Sequence, residues 1–217
     1  MREILHLTPA AARRQPWKNG RGQTEELAIW PAGASFERGD FDWRIALAAI
    51  DLAGPFSAFP GFERVLVVMR GAGLRLDHGA AAPIATVPRL QPHRFSGEWP
   101  TTATLIDGPV SDFNVLVRRG AAHGSIRVLR ADARPLQEPP HAGHTFIHVV
   151  TGTLAARVGR DAPVAVAPRE SLWIRGADRE ELQLATPGEA VELIIVRLED
   201  GLRRDRGDPP PGASDSH

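Results

Sequence analysis

A chain of 217 residues with 42% hydrophobic content can bury one large or two small cores, and its 26 basic residues are matched by 26 acidic ones. With no net charge and no long basic run, it has nothing to hold a phosphate backbone or an anionic bilayer, so neither nucleic acid nor membrane is an expected partner. The absence of cysteine removes disulfide and thiolate chemistry, no apolar run approaches the roughly 20 residues of a bilayer span, and the opening MREILHLTPAAARRQPW lacks the apolar core of a secretory signal; a cytoplasmic location is expected.

Taken in order, the pattern is one of short alternating or apolar runs punctuated by Gly and Pro, with no helix-period stripe. It predicts strands over 24–30, 43–50, 65–70, 73–77, 84–87, 102–105 and 113–118, and a second series over 125–129, 145–150, 153–158, 163–166, 171–174, 181–185 and 191–198. The fold class is all-β. The second series repeats the first: FERVLVVMRGAGLRL and HTFIHVVTGTLAARV each read as a strand, a Gly-centred turn and a second strand, and PRLQPHRFSG and APRESLWIRG each read as a proline-led turn into a strand. Two related β-barrels are therefore expected, an N-terminal one over residues 1–122 and a C-terminal one over 123–200, with terminal strands free to cross between them. Residues 201–217 carry too little apolar surface to offset ordering entropy and are expected to be disordered.

Alternation sorts the candidate site residues. In WRIALAAI, Arg44, Ala46 and Ala48 share one face and Trp43, Ile45 and Leu47 the other, so Arg44 stands among small side chains, as a ligand-holding interior requires. A solvated face with alanine filler is the competing reading. Arg64 lies in register with Leu66 and Val68 at the start of a strand; two converging guanidiniums would grip a carboxylate through their planar forks, and the alternative is a rim ion pair with Glu63 or Asp51. Lys18, the only lysine, and Asn19 sit in the turn-rich KNGRG and could complete an anion site balanced by Glu26, or form a capped loop with no ligand. In DGPVSDFNVLVRRG, Asp112, Asn114 and Arg118 share a face, and for Asp112 and Arg118 a structural ion-pair and hydrogen-bond role is favoured over ligand contact. His141, His144 and His148 are close in sequence, but no acid stands in their strand, and ordinary histidines are the favoured reading over a metal set. No nucleophile elbow surrounds Ser57 or Ser111.

The stretches WKNGRGQTEELA, WRIALAAI, GPFSAFPGFERVLVVMRGAGLRL, RFSG and DGPVSDFNVLVRRG, in that order, resemble the HutD/Ves family of cupin-fold proteins, strongly as far as Gly120 and loosely beyond. The resemblance implies a bicupin, two jelly-roll-like barrels in one chain. It implies further that the places where metal-binding cupins carry histidines and a glutamate are held here by Ser57, Phe59 and Arg64, so no metal and no cofactor is expected. The motif positions carried over are Asn19, Gly20, Thr24, Glu26, Arg44, Ser57, Arg64, Asp112 and Asn114; Ala46 stands where many relatives have serine. The function so implied is non-catalytic binding of a small carboxylate metabolite of the urocanate, formylglutamate or formate class, regulating bacterial histidine utilisation. By analogy with cupins that pair through sheet edges, a homodimer is expected. The alternatives are a metal-independent isomerase or epimerase, for which Glu26 or Asp112 would have to serve as base because the chain has no tyrosine and the first barrel's His78 and His93 stand in turn-like contexts, and a pure interaction scaffold.

Overall fold

The computed structural model describes residues 2–10, 12–16, 22–132, 134–177 and 179–201. Among the described residues nineteen strands run in chain order: β1 Glu3–Leu7, β2 Arg13–Pro16, β3 Gly22–Trp30, β4 Trp43–Ile50, β5 Gly54–Pro55, β6 Phe62–Arg70, β7 Gly73–Asp77, β8 Ala85–Pro88, β9 His93–Ser96, β10 Thr102–Leu105, β11 Val110–Arg118, β12 Ala122–Ala131, β13 Leu136–Glu138, β14 His141–Thr151, β15 Leu154–Val158, β16 Val164–Val166, β17 Ser171–Ala177, β18 Leu182–Ala185 and β19 Val191–Asp200. Among the described residues the one helical element is a single 3₁₀ turn at Gly79–Ala81. The predicted all-β class holds, and every predicted strand is present, with β4, β7 and β10 at the predicted bounds. The proline-led turn read in PRLQPHRFSG leads into β9 as expected, whereas β1, β2, β5 and β13 were not predicted: they are short, or rich in Arg, Gly, Pro and His, and take their structure from pairing partners.

The strands form four sheets, ordered β5-β10-β7-β8, β2-β3-β4-β11-β6-β9, β1-β17-β14-β19-β12 and β13-β18-β15-β16. Three apolar clusters hold these as successive layers. Ile50, Leu66, Val68 and Val110 of the six-stranded sheet meet Leu74, Leu76, Val87 and Ala103 of the first four-stranded sheet. The opposite face, with Trp43, Ile45, Val67, Phe113 and Val115, packs on Phe146, Ile194 and Val196 of the five-stranded sheet. The far face of that sheet, with Ile147, Val149, Leu193 and Ile195, meets Leu154, Val166 and Leu184. Strict period-2 alternation is what allows each large sheet to bury both faces, each against a different neighbour.

The internal repeat is visible in pairing and in detail. β11 lies between β4 and β6, and β19 lies between β12 and β14; β6 continues through Gly71 into β7, and β14 through Gly152 into β15. Both glycines have positive φ, +92° and +75°. A Cβ at Gly71 would stand 2.7 Å from Pro109 O and Val110 Cγ1, and one at Gly152 2.8 Å from Ala190 O and 3.0 Å from Val191 Cγ2. The proline-led turns match as well: Leu90 and Arg169, the two non-glycine residues of positive φ, each donate their backbone N–H at 2.8 Å, to Val68 O and Val149 O respectively. The first strand of the chain crosses over: β1 pairs antiparallel with β17, so Glu3–Leu7 belongs to a sheet otherwise built from residues 122–200.

Candidate functional site

Five of the side chains singled out from sequence, Glu26, Arg44, Arg64, Asp112 and Asn114, lie on the inward face of the six-stranded sheet. Register places them in rows: Arg44 of β4 and Arg64 of β6 both pair across Leu116 of β11, and the next row runs Glu26, Ala46, Asn114, Leu66 and His93. The row after that holds Thr24, Ala48, Asp112 and Val68. A bulge between Glu26 and Ala28 keeps Glu26 on the polar face while Ala28 joins the apolar cluster behind the sheet.

Arg64 is 9% exposed. Its Nε and Nη2 donate to the same acceptor, Asn114 Oδ1, at 3.0 and 2.8 Å, which leaves the Nη1 end without an acceptor among the described residues. Phe56 and Phe95 lie under the guanidinium, with ring centroids 4.4 and 5.4 Å from Cζ, and Phe59 is farther out at 6.0 Å. Burial lowers the Arg64 pKa to about 10; Asp112 opposes that shift and the Arg44 charge adds to it. Arg44, 7% exposed, donates from Nε to Glu26 Oε2 at 2.7 Å and stacks 4.2 Å from the Phe36 centroid. Asn114 Nδ2 in turn donates to Asp112 Oδ1 at 2.5 Å. Burial pushes the Asp112 carboxyl up to about 7, although Arg64, Asn114 and the Ala48 backbone all favour its ionised form. The balance of charge decides the chemistry. Arg44 is paired with Glu26, whereas Arg64 is held by a neutral amide, and the carboxyl nearest to that amide is one that burial drives toward its protonated form.

A histidine pair adjoins this group. His78 Nδ1 lies 2.9 Å from Thr101 Oγ1, and Thr101 donates its hydroxyl to Trp99 O at 3.2 Å, so the imidazole N–H is on Nδ1 and His78 Nε2 is an acceptor. His93 Nε2, 3.3 Å away, then donates to it. Phe95 joins the pair to Arg64, its centroid 5.0 and 5.6 Å from the two imidazoles. Burial lowers both histidine pKa values.

Of the residues expected at the site, Glu26, Arg44, Arg64, Asp112 and Asn114 are joined by direct hydrogen bonds in two groups, and Phe59 lies at the edge. Ser57 is exposed on the loop between β5 and β6. Lys18, Asn19 and Gly20 lie outside the described residues. Asp112 and Arg118 do not pair: Arg118 donates to Phe41 O at 2.9 Å and to Gly39 O and stacks on Phe62, fastening the loop before β4. Sequence reading missed Phe36, Phe56 and Phe95, and set His78 and His93 aside as turn residues, although His93 begins β9. Phe95 and His93 share a face by period-2 spacing, which was the available signal.

In the second half, His148 is buried against Phe113 and lies 2.9 Å from Ser171 Oγ, and burial drives its pKa down to about 3. Trp173 Nε1 donates to His144 Nδ1 at 3.2 Å, and His141 lies 3.2 Å from Leu198 O. Among the described residues no group of three His, Asp or Glu side chains is placed to hold a metal ion.

An all-β fold of paired, layered sheets with a polar group inside the first pair is cupin-like, and comparison agrees. The family model described as HutD matches residues 9–192, and the chain belongs to the HutD family. Protein Ves of Citrobacter koseri is 38% identical over 113 residues, 52% of this chain and 56% of Ves, so the chain spans about half the length of the curated relatives it matches. The crystal structure of the conserved protein of unknown function PA5104 from Pseudomonas aeruginosa PAO1 superposes with a TM-score of 0.82 at 28% identity, covering 91% of this chain and 100% of that one. HutD from Pseudomonas fluorescens SBW25, solved in a formate condition, gives 0.71 at 26% identity with the same coverage. Oxalate decarboxylase OxdC of Bacillus subtilis, at 6% identity and a TM-score of 0.64 over 91% of this chain and 78% of that one, shares the fold alone.

Proposed function

We propose that this protein is a bicupin, each half a jelly-roll-like barrel, whose first barrel binds a small carboxylate metabolite without turning it over and thereby regulates bacterial histidine utilisation. The observation that carries the reading is the contrast between the repeats. The first half puts Arg64, Asp112 and Asn114 in the interior, whereas the strand register of the second half puts Thr145, Leu193 and Ile195 in the corresponding places. Those three places carry no charge there, and where the second half does bury a charged group, Glu138, both Arg127 and Arg197 pair with it, so an unpaired interior charge is not something the fold itself requires. The use of the first half's polar groups lies in binding: a guanidinium with a free end, seated on Phe56 and Phe95, is matched to a planar carboxylate. The HutD family supports the link to histidine catabolism, whose carboxylate intermediates include urocanate and formylglutamate.

Thermal-shift measurement against urocanate, N-formylglutamate, glutamate and formate tests this. A ligand at a hundred times its Kd adds about 2.7 kcal/mol of stability, which in a domain pair of this size is a rise of roughly 5–10 °C in Tm. The shift should vanish in Arg64→Ala and Arg44→Ala variants that retain the far-UV spectrum of the parent. Absence of any shift with all four compounds rejects the reading. The raised Asp112 carboxyl favours one second reading, the isomerase, because a group near pH 7 can exchange protons with substrate; turnover of a bound candidate would establish it.

A further inference from the structure

On the inward face of the six-stranded sheet one carboxyl oxygen is left unsatisfied by the described residues. Asp112 is fully buried; its Oδ1 accepts from Asn114, the backbone N–H groups of Ala48 and of Asp112 itself favour its ionised form, and its Oδ2 has no hydrogen-bond partner among the described residues. A buried carboxylate oxygen in that position must either meet a donor or carry a proton of its own.

Arg64 is the charged side chain that acts on it directly, and the other charged and titratable groups of the same inward face lie farther along the strands. Asn114 is on its own strand, Arg64 comes from β6, Arg44 from β4, Glu26 from β3, and the imidazoles of His93 and His78 from β9 and from the turn after β7. Arg64 is the nearest positive influence, but its bonds go to Asn114, and Arg44 is engaged by Glu26. An anion arriving at the free Nη1 end of Arg64 places a second negative charge on the same inward face as Asp112. Two carboxylates sharing one desolvated chamber do not both stay ionised.

We propose that the anion enters together with a proton: Asp112 is protonated at Oδ2 as the ligand binds, and its O–H donates to a ligand oxygen while Arg64 holds the same anion. This rests on the carboxylate-binding reading above and adds to it a coupling to pH. The proton comes from solvent or the buffer acid, the only bond formed is O–H on Asp112, and the ligand is unchanged. Burial has already raised this carboxyl to about 7, so the uptake falls in the neutral range.

Calorimetric titration of sodium formate into the whole protein tests the coupling. Formate is a monoanion throughout the range from about pH 6 to pH 9, so any change in proton count belongs to the protein. Run at about pH 8 in phosphate and in Tris, whose ionisation enthalpies differ, the titration should show uptake of close to one proton per formate. The affinity should fall about tenfold for each pH unit above neutrality. Asp112→Asn should bind formate with no uptake and no pH dependence, and His93→Gln should keep the uptake, because an imidazole of lowered pKa is already neutral there. Should Asp112→Asn fail to fold, the two-buffer measurement on the parent protein decides alone. Formate binding of constant affinity and buffer-independent heat overturns the proton coupling and leaves the ligand site standing. So does loss of uptake in His93→Gln. No binding at any pH overturns both.

Discussion

Arg64 gives two hydrogen bonds to a single acceptor atom, Asn114 Oδ1, although a carboxyl group, Asp112, stands two residues along the same strand. The amide thus acts as a spacer, fixing the guanidinium by geometry without cancelling its charge. Asn114→Leu keeps the volume but strips an acceptor from Arg64 and a donor from Asp112. It should lower stability by about 1–3 kcal/mol and reduce formate affinity at least tenfold. Asn114→Asp gives Arg64 a carboxylate partner but removes the donor to Asp112 Oδ1 and sets two carboxyls in contact, so the pair should hold one proton, lose stability as pH rises above neutrality, and abolish the formate shift by neutralising Arg64. Thermal-shift titration of both variants checks the pair.

Glu26 and Arg44 separate charge from stability in the opposite sense. Their side chains are 18% and 8% exposed and joined at 2.7 Å. Removing one partner of such a pair leaves the other as an uncompensated charge, and because Glu26 is partly exposed the cost for Glu26→Gln should be at the lower end, about 2 kcal/mol. The same substitution adds a net positive charge to the chamber. Formate should therefore bind more tightly to a less stable protein, a combination that urea unfolding and titration read separately.

The fold was legible where a period of two had large side chains to mark it. WRIALAAI announces β4, with Trp43, Ile45 and Leu47 on one face, and the structure buries that face against the other half. The same alternation isolated Arg44 and Arg64. What no sequence pattern could show is the partner of each charge: Arg64 reaches an amide on β11, and Arg118, in the same run, reaches backbone oxygens before β4. Those choices depend on register between strands far apart in the chain. Nor could spacing reveal that β1 joins the sheet of the second half, since EILHL carries no mark of its destination.

The repeat makes a prediction about two glycines. Gly71 and Gly152 both have positive φ and both press against the strand that closes their half, so alanine at either meets backbone oxygen as well as an unfavourable conformation. Gly71→Ala and Gly152→Ala should each cost about 2–4 kcal/mol, more than the roughly 1–2 kcal/mol of the left-handed conformation alone. Gly108, with φ of +72° and nothing within 4 Å of an added Cβ, supplies the control that should lose the conformational part only. Urea midpoints of the three variants provide the comparison.

The pH dependence of stability should show two buried groups working against each other. His148 has its pKa lowered to about 3, so the folded state binds fewer protons than the unfolded one below about pH 6.5. Its contribution is complete above that pH and is lost progressively on acidification, by about 2–3 kcal/mol at pH 4.5. His78, His93 and His144, all lowered by burial, act in the same direction. Asp112 is raised to about 7, so the folded state binds more protons than the unfolded one between about pH 4 and pH 7, and its contribution rises as pH falls through that window. Asp112→Asn should accordingly stabilise the protein near pH 8 and make its acid loss steeper, while His148→Gln should lower stability near neutrality and flatten the loss. The slopes of unfolding free energy against pH, from urea unfolding between about pH 4.5 and pH 8, are the quantities to compare, since each substitution also changes packing. A parent and Asp112→Asn with equal slopes would mean that the carboxyl is ionised in the folded protein at ordinary acidity, contrary to its burial.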